Sequence, residues 1–211
     1  MFQNRGEAGR KLGERLRLML KGEKNIVVFS IPRGGVVVGH YVAKSLGVKH
    51  QIICVKKIGH PENPEYAIGG VGQDGTTSVD KYVVEEEGIS KEYIRKEAER
   101  LKQEIIKRLK NLGKKPTLPS LYGKIVVLVD DGVATGQTIK LSAEILRKKG
   151  AKKIVIAVPV GPAEVIDSLG RFADAVVCIE TPDDLDAIGE FYEDFSQVED
   201  EEVKRYLEDD I

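Results

Sequence analysis

Five short apolar runs recur along this chain, and each is separated from the next by residues of another character. They are Ile26 to Phe29, Gln51 to Val55, Ile125 to Val129, Ile154 to Val158 and Ala175 to Ile179. All but the second are continuous runs, with no polar residue in every second place. A strand with one wet face would alternate, so these strands are expected to be buried on both faces. Most of the intervening segments carry helical periodicity. Residues 5–20 place Ala8, Leu12 and Leu16 on one face, and Val36 to Leu46 reads as a helix stopped by Gly47. Ser90 can cap a helix over 91–111, with Ile94, Ala98, Leu101, Ile105 and Leu109 along one side. Further helices are expected from Thr138 to Lys149 and from Pro162 to Leu169. Strands alternating with helices predict an α/β fold: a mostly parallel twisted sheet with helices on both faces. At 211 residues the chain is expected to form a single domain over 1–211. Ligands of such sheets bind beyond the C-terminal strand ends. That rule points to residues 30–35, 56–75 and 130–138.

Two regions are less regular. Residues 56–80 hold Gly59, Pro61, Pro64, Gly69, Gly70, Gly72 and Gly75. A long loop or hairpin is expected there, with Ala67 to Val71 as a short strand and Lys81 to Val84 as another. The tail from Glu180 is acidic and contains Phe191, Tyr192 and Phe195; Glu199 to Glu202 reads as the start of a solvated helix. A net charge of −1 supplies no general basic field, so nucleic acid is not an expected partner. No apolar run approaches the roughly 18 residues of a membrane span. Cys54 and Cys178 lie in apolar surroundings and read as buried small hydrophobes. His40, His50 and His60 lack metal-ligand spacing. A reducing, cytoplasmic setting is expected.

The segment Val126 to Thr138, VVLVDDGVATGQT, carries the chemistry. Asp130 and Asp131 follow a buried strand, and adjacent side chains on extended backbone cannot both face the core. A turn of small residues follows, then a helix start with Thr135 and Thr138. Open N–H groups at a helix start suit a phosphate. The acids would repel that phosphate and need other partners, such as ribose hydroxyls or a hydrated Mg²⁺. The segment is not a Walker A loop: three residues separate Gly132 from Gly136, and Gln137 rather than Lys follows.

Four apolar residues, two acids, small residues and T-G-x-T resemble the PRPP-binding motif of type I phosphoribosyltransferases. The whole chain resembles a prokaryotic branch of that superfamily, with its PRGG loop, long linker helix and FYEDFSQV ending. The resemblance implies that Asp130 and Asp131 contact the ribose hydroxyls. It implies a 5′-phosphate cradle from Ala134 to Thr138, with Gly132 and Val133 completing the PRPP site. Arg33, Gly34 and Gly35 would form the pyrophosphate loop, joined by Lys56 and Lys57 after the second strand. Family loops of this kind often hold a cis peptide, here at Pro32–Arg33. Residues 59–80 would be a flexible loop closing over the site. A small hood would come from 180–211, chiefly 180–195, and from the N-terminal segment. The implied catalytic set is Arg33, Lys57, Asp130 and Asp131. Mg²⁺ would arrive with PRPP, without a firm protein ligand beyond Asp130 and Asp131 through water. The implied activity is transfer of phosphoribose to a nitrogen acceptor with release of pyrophosphate, as in the glycosyltransferase class. Ala134 stands where 6-oxopurine enzymes carry an acid, so a pyrimidine-type base is the expected acceptor. A homodimer is expected. The alternative is a non-catalytic sensor of PRPP or a nucleotide on the same fold.

Overall fold

Asn4 begins the first helix by accepting the Glu7 N–H, and α1 runs Arg5–Met19. It leads into β1 (Ile26–Ser30) and α2 (Gly34–Leu46), which Gly47 ends at φ +63°. Then come β2 (His50–Ile52), β3 (Val55–Gly59), β4 (Ala67–Gly72) and β5 (Thr77–Val79). Asp80 caps α3 (Lys81–Glu86), and Ser90 caps α4 (Lys91–Asn111). The order continues with β6 (Ile125–Val129), α5 (Gln137–Lys148), β7 (Lys153–Val160), α6 (Ala163–Leu169), β8 (Ala175–Glu180) and α7 (Asp200–Glu208). This computed structural model describes residues 1–208; residues 209–211, the end of the segment assigned to a hood, lie outside the described residues.

The main sheet has five parallel strands in the order β2-β1-β6-β7-β8. Alternation along β6 shows why both faces are apolar. Val126 and Leu128 pack toward Ile139, Ala143 and Ile145 of α5, while Ile125, Val127 and Val129 pack toward Leu12, Leu16, Val38 and Val42 of α1 and α2. The expected doubly covered sheet is therefore present. None of the described helices is long and apolar enough to cross a membrane.

The region after β2 departs from expectation. The apolar run from Gln51 to Val55 is not one strand. It divides at Ile53-Cys54, and β3 leaves the parallel sheet for an antiparallel one, β3-β4-β5. Residues 56–80 thus take the hairpin alternative, with the expected short strand present as β4 and a third strand, β5, beside it. The glycines of β4 serve close packing: a Cβ on Gly70 would strike Leu141 of α5, and one on Gly72 would lie 3.1 Å from Ile145. The connection from β3 to β4 is a short turn, held by the His60 N–H on the Tyr66 carbonyl at 2.7 Å. Lys81 to Val84 is helical, not extended, because the Asp80 carboxylate accepts the Tyr82 and Val83 N–H groups and starts a turn of helix. Helix α4 lies over β3 and β4, burying Ala98, Leu101, Ile105 and Leu109.

The segment before α1 meets the segment after β8. The Phe2 N–H donates to the Phe191 carbonyl at 2.7 Å, and the Glu193 N–H donates to the Phe2 carbonyl at 2.8 Å. Phe2, Ala8, Val160 and Tyr192 form a small core beside the ends of β7 and β8. This layer brings together the two segments expected to form a hood.

Candidate active site

Parallel pairing of β1 with β6 aligns Ser30 with Val129, so the loops after both strands open at the same edge. The β1 loop enters α2 through Pro32 and Arg33, whose shared peptide bond is cis. The β6 loop supplies the acids. The two loops interlock at Gly34 and Gly35. A Cβ on Gly34 would coincide with the Asp131 carboxylate, and one on Gly35 would lie 2.7 Å from Asp130 Oδ1. Both glycines are required because the acids pack directly on the backbone.

The adjacent acids have different surroundings. Asp131 accepts a charged hydrogen bond from Arg5 Nε at 2.7 Å, with both side chains largely buried. Arg5 also donates to the Ser196 carbonyl at 2.8 Å and stacks on Phe195 at 3.8 Å. The Tyr192 hydroxyl donates to the Asp131 carbonyl at 2.6 Å. Burial, then the charge of Asp131, raises the Tyr192 hydroxyl pKa. Asp130 has no ion pair among the described residues; its Oδ1 accepts the Asp131 N–H at 2.9 Å. Burial, and then the neighbouring Asp131 charge, push its carboxyl well above the ordinary range. One acid of the pair is therefore locked, and the other faces the cleft short of a partner.

Beyond the acids the chain turns over a buried Gly132, with Ile188 packed where its Cβ would be. The Val133 N–H is satisfied by the Val160 carbonyl at 2.9 Å. Ala134, Thr135, Gln137 and Thr138 are exposed. Gly136, at φ +73°, starts α5 without any side-chain cap. The Lys140 N–H bonds back to the Gly136 carbonyl, so the N–H groups ahead of it precede the helix ladder. An uncapped helix start with two hydroxyls beside it suits an anion.

A cleft of about 410 Å³ runs from this point along the strand ends. Its lining includes the acids Asp130 and Asp131, with Thr138 and Gly34, and the cations Arg33, Lys56 and Arg108. Arg33 approaches the exposed Glu199 at 3.9 Å, and Lys56 pairs with Glu104 of α4. Lys57 is not in this cleft. Alternation along β3 turns it to the opposite face, where it lines a separate cavity with Gln137, Lys140 and Phe172. Of the implied set, the fold brings together Arg33, Gly34, Lys56, Asp130, Asp131 and Thr138, and sets Lys57 apart. Arg5, Glu104 and Arg108 belong to the site's surroundings and went unsingled in the sequence, and Tyr192, read there only as an aromatic of the tail, is the donor to the Asp131 carbonyl. Of the first three, only Arg108 had a readable signal, its helical spacing from Ile105. Hard carboxylate oxygens at Asp130 and Asp131 suit a hydrated divalent cation such as Mg²⁺; no cluster of three or more metal-ligand side chains occurs among the described residues.

Cys54 and Cys178 take no part. Burial lifts both thiols to about 11, which keeps them protonated and unreactive at neutral pH.

Comparison with known proteins agrees with this geometry. A family model described as phosphoribosyl transferase domain matches residues 3–167. The chain is 40% identical over 210 residues to Rv0571c of Mycobacterium tuberculosis, named as a candidate phosphoribosyl transferase. That alignment covers 99% of this chain and 46% of the relative, so the chain spans about half the length of the curated relatives it matches. The crystal structure of TT1426 from Thermus thermophilus superposes with a TM-score of 0.87 at 37% identity, covering 98% of this chain and 97% of the other. AQ2163 from Aquifex aeolicus, 14% identical over 88% of this chain and 78% of the other, has a TM-score of 0.51, a likeness of fold alone.

Proposed function

The chain belongs to the phosphoribosyl transferase domain family, and from that premise we propose that it binds PRPP with Mg²⁺ and transfers its phosphoribosyl group to a nitrogen acceptor, releasing pyrophosphate. One observation carries the reading: an acid pair, an open helix start and three cations share one cleft. A sugar with phosphate at one end, a diol in the middle and diphosphate at C1′ fits that order. The helix start of α5, with Thr135 and Thr138, holds the 5′-phosphate. Asp130 and Asp131 accept the 2′- and 3′-hydroxyls. Arg33, Lys56 and the backbone at Gly34 and Gly35 receive the diphosphate, which gains charge as it departs. Mg²⁺ supplies further charge neutralisation on the phosphate oxygens when bound. Ala134 offers a methyl group in place of a carboxylate, and this favours a pyrimidine-type base or another nitrogen compound over a 6-oxopurine.

A second reading keeps PRPP binding and removes the transfer. Ile188 packed against Gly132 favours it, because the hood then rests on the edge of the acid pair. One experiment addresses both. PRPP with Mg²⁺ raises the melting temperature of the wild-type chain, and Asp130→Asn/Asp131→Asn abolishes that shift. Pyrophosphate release with uracil, orotate, hypoxanthine and guanine then distinguishes enzyme from sensor. An equal shift in wild type and the double variant refutes the site.

A further inference from the structure

We infer that helix α4 is the second wall of a pyrophosphate subsite, with Arg108 as a ligand and Glu104 as the counter-ion that holds Lys56 until pyrophosphate takes it. The inference rests on the PRPP reading above and extends it to residues outside the strand-end loops.

Ile105 and Arg108 are three residues apart and share a face of α4. Ile105 is buried under the cleft, and Arg108 lines it together with Pro32, Arg33 and Lys56. Three other basic residues of this helix are held by acids, Lys102 by Glu99 at 3.6 Å among them. Arg100 binds Glu97 at 2.6 Å and also pairs with Glu104; Lys96 binds Glu92 at 2.8 Å. Among the described residues no carboxylate forms an ion pair with Arg108. It is a planar, permanently charged donor aimed at an anion site and committed to no acid.

Lys56 has a partner, but a shared one. Glu104 takes both Lys56 and Arg100, and hydrogen bonding to Lys56 leads the effects that hold its carboxyl below the usual range. Lys56 and Glu104 are each about 40% exposed. Exposed pairs of this kind are weak and exchange readily with water. When Lys56 turns to a diphosphate, Glu104 keeps Arg100 and strands no charge. The same acid can draw Lys56 back once pyrophosphate has left the cleft. Diphosphate is therefore met by three cations on the basic wall, Arg33, Lys56 and Arg108, drawn from three separate elements.

Calorimetric titration of the full chain with magnesium pyrophosphate, at fixed ionic strength, tests this. Ribose 5-phosphate serves as the second probe, because its contacts lie at the α5 start and the acid pair. Arg108→Gln is expected to weaken pyrophosphate about tenfold, the scale of one charge-assisted contact, and to leave ribose 5-phosphate unchanged. Glu104→Gln is expected to tighten pyrophosphate, with the gain shrinking as salt rises. Arg108 is exposed, so its replacement leaves the fold intact, and matching melting temperatures verify this. Unchanged pyrophosphate affinity in Arg108→Gln, with wild-type binding of both probes, overturns the inference while the PRPP reading stands. A wild-type chain that binds neither probe overturns the PRPP reading itself.

Discussion

The acid wall of the cleft is fixed and buried, whereas the basic wall is exposed and shared among counter-ions. On the first, Gly34 and Gly35 lie so close to Asp131 and Asp130 that no side chain fits between, and Arg5 and Tyr192 hold Asp131 from behind. On the second, Lys56, Glu104 and Arg100 form a chain of pairs in solvent. The difference follows the chemistry each wall would meet. A ribose diol has one fixed geometry and rewards a preorganised acceptor. A diphosphate arrives, gains charge and must leave, and mobile cations suit that cycle.

Replacing Arg5 is the strongest way to break the contrast. Its pair with Asp131 is largely buried, with side-chain exposures of 10% and 15%. Removing one partner of such a pair costs about 3–5 kcal/mol. Arg5→Met keeps volume against Phe195 and is expected to lose stability on that scale in urea unfolding. A loss below about 1 kcal/mol, the range of exposed pairs, would place the acid wall with the other.

A smaller effect is expected at Asp130, and with the opposite sign. Its carboxyl pKa is raised by burial and by Asp131, so the native state holds a proton that the unfolded state releases. Stability is then full below the ordinary value of 3.8 and falls as pH rises through the raised native value. Asp130→Asn cannot lose that proton and can still accept the Asp131 N–H. Its melting temperature is expected to exceed the wild type's at pH 8 and to converge with it near pH 3.5. Thermal scans across that range check the sign; parallel curves would contradict it.

The smallest effect belongs to the basic wall. Arg100→Ala removes two exposed pairs on α4 and is expected to leave the melting temperature unchanged within error, since such pairs contribute little. A clear drop would show that this wall is also a fixed structure.

The two walls also differ in how far the sequence exposes them. The acid wall is contiguous: a β6 run, two acids and a small-residue turn stand together from Val126 to Thr138, and each local preference agrees with its place in the fold. The strands of the main sheet and the bounds of α4 were readable for the same reason. The basic wall is assembled from β3, α4 and the β1 loop, and spacing within one segment does not show which of its cations converge. Lys56 and Lys57 looked alike as a pair, although strand alternation would have separated them once β3 was known to be extended. For residues 56–80 the sequence leaves loop and hairpin both open, because glycine signals freedom and close packing alike; only the neighbouring Leu141 and Ile145 decide between them. Arg5 and Tyr192 reach Asp131 from segments far apart in sequence; the tail aromatics stand out, but nothing local links either residue to the acid pair.

That reach sets an order of assembly. Arg5 contacts partners 126 and 191 residues away in sequence. Closing such long loops adds little equilibrium cost, about 0.6 kcal/mol for each doubling of length. Its kinetic weight is greater, because non-local contacts slow folding. During synthesis the main sheet can pair as soon as β8 has emerged, while Asp131 gains Tyr192, and its partner Arg5 gains Phe195 and Ser196, only afterwards. The acid wall, so rigid once formed, is completed only after the main sheet beneath it.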